Sequence, residues 1–171
     1  YNSNGTKIWT QQIGTADNEQ CFATTVDTSD NIYITGTTPA GIDGQVPIGD
    51  GDIYIIKYNS DGIKQWSQQT GTNALDISMG IASDSSNNIY VVGGTNGTLP
   101  THTSIGNIDI FIIKYDSEGN EQWTRQVGST ENDLAESIKV DSANNIYITG
   151  WTQGAFHENT TLGLDDIFLI F

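Results

Sequence analysis

Shifted by 57 positions, the sequence lies on itself: residues 1–57, 58–114 and 115–171 align without a gap, and 16 of the 57 columns hold one residue type in all three copies. Such a chain cannot rest on one non-repeating core. Each unit has to bury its faces against its neighbours, as in a propeller or a related stacked array. Trp9, Trp66 and Trp123 share a column, as do Gly14, Gly71 and Gly128, and Asp27, Asp84 and Asp141. The run Asn31-Ile32-Tyr33 returns at Asn88 and at Asn145.

Each unit predicts four strands. The first spans 7–13 (64–70, 121–127), carries the repeated Trp and stops at the repeated Gly. The second spans 21–26 (78–83, 135–140) and ends at Asp27, Asp84 or Asp141. The third, 32–35 (89–92, 146–149), is rich in the β-branched and aromatic residues that suit a pleated surface. The fourth is 53–58, with 110–115 and 167–171. The Asp27–Asn31 turn and its copies are rich in Asx and Ser, whose side chains bond nearby backbone and tolerate left-handed geometry. Gly5, Gly62 and Gly119 each close a turn that calls for positive φ. The segments from about 37 to 50, and their equivalents, are longer and vary between copies, as loops on one face of an array do.

The fourth strand decides the packing. Ile53-Tyr54-Ile55-Ile56 and Ile110-Phe111-Ile112-Ile113 are apolar at consecutive positions, whereas a sheet with one wet face alternates apolar with polar. Both faces need cover, and with no amphipathic helical stretch to supply it, the cover is the next copy of the same sheet. The expected fold is all-β: a β-propeller of four-stranded antiparallel blades, three repeats over residues 1–171.

The stretch Ile138-Lys-Val-Asp-Ser-Ala-Asn-Asn-Ile-Tyr-Ile-Thr-Gly150, followed by Gly163 and Asp166-Ile-Phe, resembles the bacterial SBBP repeat, named for seven-bladed β-propellers. Asp109-Ile-Phe-Ile-Ile-Lys-Tyr-Asp-Ser-Glu-Gly119 and Trp123 continue the resemblance across all three units. It implies that the Cys21 strand is innermost and the Trp-bearing strand outermost. It also implies a bacterial or archaeal protein displayed at the cell surface. Because Tyr1 shares a column with Tyr58, the chain then opens with an outermost strand permuted relative to its blades, and ends on a blade lacking that strand. Three blades are too few for a closed ring of about 4–8. Either this is part of a longer chain, or copies join by blade completion, two chains giving six blades.

Six Lys and Arg against 21 Asp and Glu give a net charge of −15, which repels phosphate backbones and anionic headgroups. Nucleic acid is not an expected partner. No apolar run reaches the roughly 18 residues of a membrane span, and no stretch resembles a secretion signal, so any signal is expected to have been removed or to lie outside this segment. Scarce Lys with abundant Asn, Thr, Ser and Gly suits exposed strand surfaces and an extracellular setting. Cys21 is the single cysteine, with Ser78 and Ala135 in its column; it reads as an ordinary strand residue.

A catalytic residue would stand out as a departure from the repeat. His102 and His157 are the only histidines, in different columns of the variable loop. No metalloprotease, nucleophile-elbow or phosphate-cradling motif is present, so an enzyme is not expected. Asp50, Asp52, Asp109 and Asp166 are candidate calcium ligands, Gly49-Asp50-Gly51-Asp52 being calcium-like in isolation, yet the remaining spaced ligands of a twelve-residue loop are missing. The alternative is that Asp52, Asp109 and Asp166, with Glu19, Asp76 and Asp133, accept backbone hydrogen bonds at strand entries. Trp9, Trp66 and Trp123 read as packing residues rather than sugar platforms. Trp151 departs from its column, which otherwise holds Thr37 and Gly94, and is a candidate glycan or protein contact. The reading is a non-enzymatic scaffold with protein partners, self-association included and no resident cofactor. The alternative is a lectin-like propeller with repeated weak sites.

Overall fold

Strands pair in the order in which they occur in the chain, each folded back on its predecessor by a short turn or by one of the longer loops at 39–51, 96–108 and 153–165. The computed structural model describes residues Tyr1–Phe171. The first sheet comprises β1 (Gln20–Val26), β2 (Ile32–Thr38), β3 (Asp52–Tyr58) and β4 (Lys64–Thr70). The second has β5 (Asp76–Ser83), β6 (Ile89–Thr95), β7 (Asp109–Tyr115) and β8 (Glu121–Val127). The third has β9 (Asp133–Val140), β10 (Ile146–Thr152) and β11 (Asp166–Ile170). All pairings within the sheets are antiparallel. The one helical element is a 3-10 turn at Ile42–Gly44. Gly5, Gly62 and Gly119 have the positive φ that their turns require.

The sheets stack on each other through the consecutive apolar positions. Ile53, Ile55 and Tyr33 of the first sheet join Ile89, Val91, Phe111 and Ile113 of the second in one buried cluster. The opposite face of the second sheet buries Tyr90, Val92 and Ile110 with Ala135, Ile138 and Ile148 of the third. Neighbours in sequence thus serve different interfaces: Ile110 faces one way and Phe111 the other, as the two-residue strand period demands. Three sheets do not close into a ring, and the end faces lack a neighbour. Along one column, Ile53 and Ile110 are 0% exposed and Ile167 is 93% exposed.

Two expectations change. The segment 7–13 forms no strand, although its counterparts are β4 and β8. A strand exists by pairing; β4 and β8 pair with β3 and β7, whereas the 7–13 segment pairs with none of the eleven strands. It is held instead by Trp9 Nε1, which donates to the Ser60 carbonyl at 3.0 Å, and by Gln11 Nε2, which donates to that of Gly62 at 3.0 Å. Conversely, β2, β6 and β10 run three residues beyond the predicted ends. A Cβ on Gly36, Gly93 or Gly150 would sit 1.8, 1.9 and 1.9 Å from the carbonyl oxygens of Gln20, Ile77 and Leu134. The strand continues because only glycine admits the irregular neighbouring strand this close.

The long loops are anchored. Ile42, Leu99 and Phe156, which share a column, are all buried, each in a different apolar cluster. Ile110→Ala is expected to lower the unfolding free energy by about 2–5 kcal/mol in a urea titration, because the closed interface cannot refill the space. A loss under about 0.5 kcal/mol, the scale of surface changes, would contradict the stacking.

Candidate functional site

The repeated polar residues divide into two sets, each built from local sequence. In the first, Asp27 Oδ1 accepts the backbone N–H groups of Ser29 (2.8 Å) and Asn31 (2.9 Å), while Oδ2 accepts Asn31 Nδ2 (2.8 Å) and the Tyr33 hydroxyl (2.9 Å). Asp84 repeats this with Ser86, Asn88 and Tyr90, and Asp141 with Ala143, Asn145 and Tyr147. Positive φ at Asp30, Asn87 and Asn144 completes the turns. Adjacent turns are also tied together. Asn87 Oδ1 accepts from the Thr28 backbone N–H (3.1 Å) and hydroxyl (2.7 Å), and Asn144 Oδ1 does so from Ser85 (3.1 and 2.9 Å). Burial pushes the Asp84 carboxyl up, but the bonds from Asn88, Ser86 and Tyr90 outweigh it and hold it below the usual carboxylate range. Asp27 behaves alike through Asn31, Tyr33 and Ser29.

In the second set, Asp52 accepts the N–H groups of Ile48 (2.8 Å) and Gly49 (3.2 Å) and Gln69 Nε2 (2.7 Å). Asp109 matches it with Ile105, Gly106 and Gln126. Asp166 retains the Leu162 N–H at 2.7 Å. Asp76 and Asp133 accept the backbone N–H groups of Thr72 (2.6 Å) and Ser129 (2.5 Å). A Cβ on Gly71 would lie 2.8 Å from both Asp52 Oδ1 and Asp76 Oδ2, and one on Gly128 2.5 and 2.9 Å from Asp109 Oδ1 and Asp133 Oδ2. The repeated glycine therefore makes room for two buried carboxylates. Burial raises the Asp76 carboxyl, with hydrogen bonds from Thr95 and Thr72 acting against it and the Asp52 charge adding to it.

The calcium candidates stay apart. Asp52, Asp109 and Asp166 occupy one sheet each, Asp50 is exposed, and no group of three or more His, Cys, Asp or Glu side chains forms that could hold a metal ion. Glu19 keeps to its own turn, bonded by the hydroxyl and backbone of Thr15 beside Gly14. His102 bonds the Pro100 carbonyl at 2.8 Å through Nδ1, and His157 stands edge-on to Phe156 at 4.5 Å.

Trp66 is a latch between sheets. Its Nε1 donates to the Ser117 carbonyl at 3.1 Å, and a Cβ on Gly119 would lie 3.1 Å from its indole. Trp9 does the same over Ser60 and Gly62. Trp123 lies tilted against Tyr90, the ring centres 6.0 Å apart, with the Arg125 guanidinium 5.5 Å from its ring centre. Trp151 is half-buried on the open face of the third sheet, directly across the ladder from Ile167. Open grooves lie at both ends of the stack: one of ≈ 540 Å³ beside β11, and one of ≈ 380 Å³ between residues 9–13 and the first sheet. Sequence reasoning passed over the clamp at Asn87 and Asn144; its signal was their Asx-only column with Asp30.

Residues 65–100 and 122–157 match the family model of SBBP, described as a beta-propeller repeat. The similarity to SBBP beta-propeller repeats thus falls on two segments of the chain. The chain is also similar to an uncharacterized WD repeat-containing protein of Acanthamoeba polyphaga mimivirus, 28% identical over 186 residues and covering 86% of this chain and 13% of that protein. It is similar to the Regulatory protein FlaEY of Caulobacter vibrioides, 27% identical over 163 residues, covering 85% of this chain and 17% of that protein. The chain thus spans less than a fifth of either relative. The SBBP matches cover the Asp84 and Asp141 turns and the Trp66 and Trp123 strands.

The Asp84 turn carries a pH signature. Its carboxyl is depressed in the folded state, so its stabilisation is present above the ordinary value of about 3.9 and is lost as pH falls through the folded value. Asp84→Asn is expected to cost about 1–3 kcal/mol at neutral pH and progressively less in acid. Urea titrations across pH decide this; a cost that stays the same at all pH values would contradict it.

Proposed function

We propose that the chain is a propeller segment of an extracellular or cell-surface protein, acting as a non-catalytic scaffold for protein partners. One observation supports this most: the repeated carboxylates are occupied by backbone and side-chain donors of their own turns. The same groups that could have formed a site thus hold the strands in place. What differs between copies is the long loop of each sheet, fixed at its base by Ile42, Leu99 or Phe156 and exposed beyond it. A rigid frame with variable loops is the usual arrangement for recognition. The family match and the WD repeat-containing relative agree with a repeat scaffold, and the acidic, Lys-poor composition suits an exterior setting.

Protease shaving of intact cells of the source organism tests the placement, and cross-linking on those cells tests the role. Peptides of this chain should be released without lysis, with cross-links to other proteins concentrated in residues 39–51, 96–108 and 153–165. Release only after lysis, or cross-links confined to the strands, would overturn the reading. A glycan array supplies the other arm: strong binding there would favour the lectin alternative.

A further inference from the structure

A binding residue in a repeat protein stands out by departing from its column, and on the second sheet such departures gather in one place. A groove of ≈ 560 Å³ is lined by Pro100, Thr101 and His102 of the long loop and by Glu121, Thr124 and Arg125 of β8. Glu121 stands where the other copies have Lys7 and Lys64, and Arg125, the one arginine of the chain, where they have Gln11 and Gln68. His102 replaces Gln45 and Asn159, and Pro100 replaces Asp43 and His157. The second sheet has all four strands and a sheet on each side, and β8 is its outer edge.

The first sheet shows what this position is built to hold. There the loop lies against β4: Asp43 accepts from Lys64 Nζ and from the Ser67 hydroxyl, and Gln45 Nε2 donates to Ser67 Oγ at 3.4 Å. A charged side chain on an irregular segment is thus seated on positions 64 and 67. In the second sheet both members of the ion pair have changed, Asp43 to Pro100 and Lys64 to Glu121. Here the loop is bonded to β8 only through Gln126, which accepts the Leu99 N–H and donates to the Gly97 carbonyl, each at 2.9 Å.

The groups around the groove are positioned but unspent. The Thr124 hydroxyl donates to Glu121 Oε1 at 2.7 Å, which leaves Oε2 without a protein partner. Arg125 Nη1 donates to the Thr124 carbonyl at 2.7 Å, and the Trp123 indole beside the guanidinium holds it in place. Thr101 is a β-branched residue at φ 66°, where the first copy has Gly44 at 81°, and strain of this kind gathers at binding surfaces. The register of β7 with β8 sets Tyr115 against Glu121 and Ile113 against Thr124, on the face that the first sheet covers. It sets Ile112 against Arg125 on the other face. Acid and base thus flank the free edge of β8 from opposite sides.

We propose that this groove binds an extended segment of a protein partner through a basic side chain paired with Glu121 and a carboxylate paired with Arg125. The inference rests on the scaffold reading above and gives one of its loops a ligand. The partner's basic residue takes the role that Asp43 has in the first sheet, with the charges exchanged. An extended segment also suits the unpaired backbone groups of an edge strand. A sugar ring would need an open indole face, whereas Trp123 has Tyr90 tilted against it and the Arg125 guanidinium over it.

The probe is an array of short peptides in a Ser-Thr-Val background, with Lys, Arg, Asp or Glu placed singly and in pairs at every position. The wild-type chain should bind peptides that carry both charges about tenfold better than peptides with either alone, the scale of one charge-assisted hydrogen bond. Glu121→Lys should transfer the preference at the basic position to Asp or Glu, and Arg125→Glu should transfer that at the acidic position to Lys or Arg. Both side chains are exposed, so the changes cost little stability. Glu136→Lys, the same charge change at an exposed position of β9, should leave the preference as it is. Binding that follows peptide net charge alone, no charge-selective binding, or a preference that Glu121→Lys leaves unchanged would overturn the assignment. So would a neutral glycan, on a parallel array, whose binding Glu121→Lys abolishes. The scaffold reading fails separately, by the absence of cross-links from all three long loops on intact cells.

Discussion

Burial of both faces of the fourth strand in each repeat underlies the rest of the structure. Ile53 and Ile55 face the second sheet while Tyr54 and Ile56 face the other way, and in the second sheet Ile110 and Phe111 divide in the same manner. Each fully buried side chain of this size contributes about 1.5–3 kcal/mol. A net hydrogen bond such as Trp66 to Ser117 contributes about 0.5–1.5 kcal/mol. The apolar columns therefore hold the sheets together, and the polar latches set their register. Because a strand apolar on both sides is unstable alone, no unit of this chain stands without a neighbour.

Polar chemistry follows from that constraint. Stacking leaves the strand entries and tight turns buried at their bases, where unpaired N–H groups would be costly. Asp27, Asp52, Asp84 and Asp109 meet this demand, each accepting at least two backbone N–H donors. Their repetition thus has a mechanical cause, and the variable surface is left to the loops. That division separates the frame from the parts that vary between copies.

Much of this was legible in the sequence because identity at fixed spacing marks equivalent positions. The run Ile53-Tyr54-Ile55-Ile56 announces two covered faces, and Asp27 with Asn31 announces its turn. Three features were not legible, each for a physical reason. The 7–13 segment has the pattern of a strand, but pairing depends on a partner that the pattern does not contain. The extension of β2 past Thr35 depends on Gly36 meeting the Gln20 carbonyl, a contact between strands. Ile42, Leu99 and Phe156 differ in kind from copy to copy, which hid a shared anchoring role inside a loop that otherwise varies. Of the candidate residues, Trp66 and Gly71 were readable as structural, whereas Asp50 and the histidines acquire no common site.

Native-state hydrogen exchange followed residue by residue measures the central claim most directly, since protection reports how each amide is covered and how cooperatively it opens. If sheet-on-sheet burial organises the chain, amides of β6 and β7, covered on both faces, exchange only through global unfolding, while residues 7–13 exchange freely in the monomeric chain. Exchange in β6 and β7 as fast as in residues 7–13 would contradict the account.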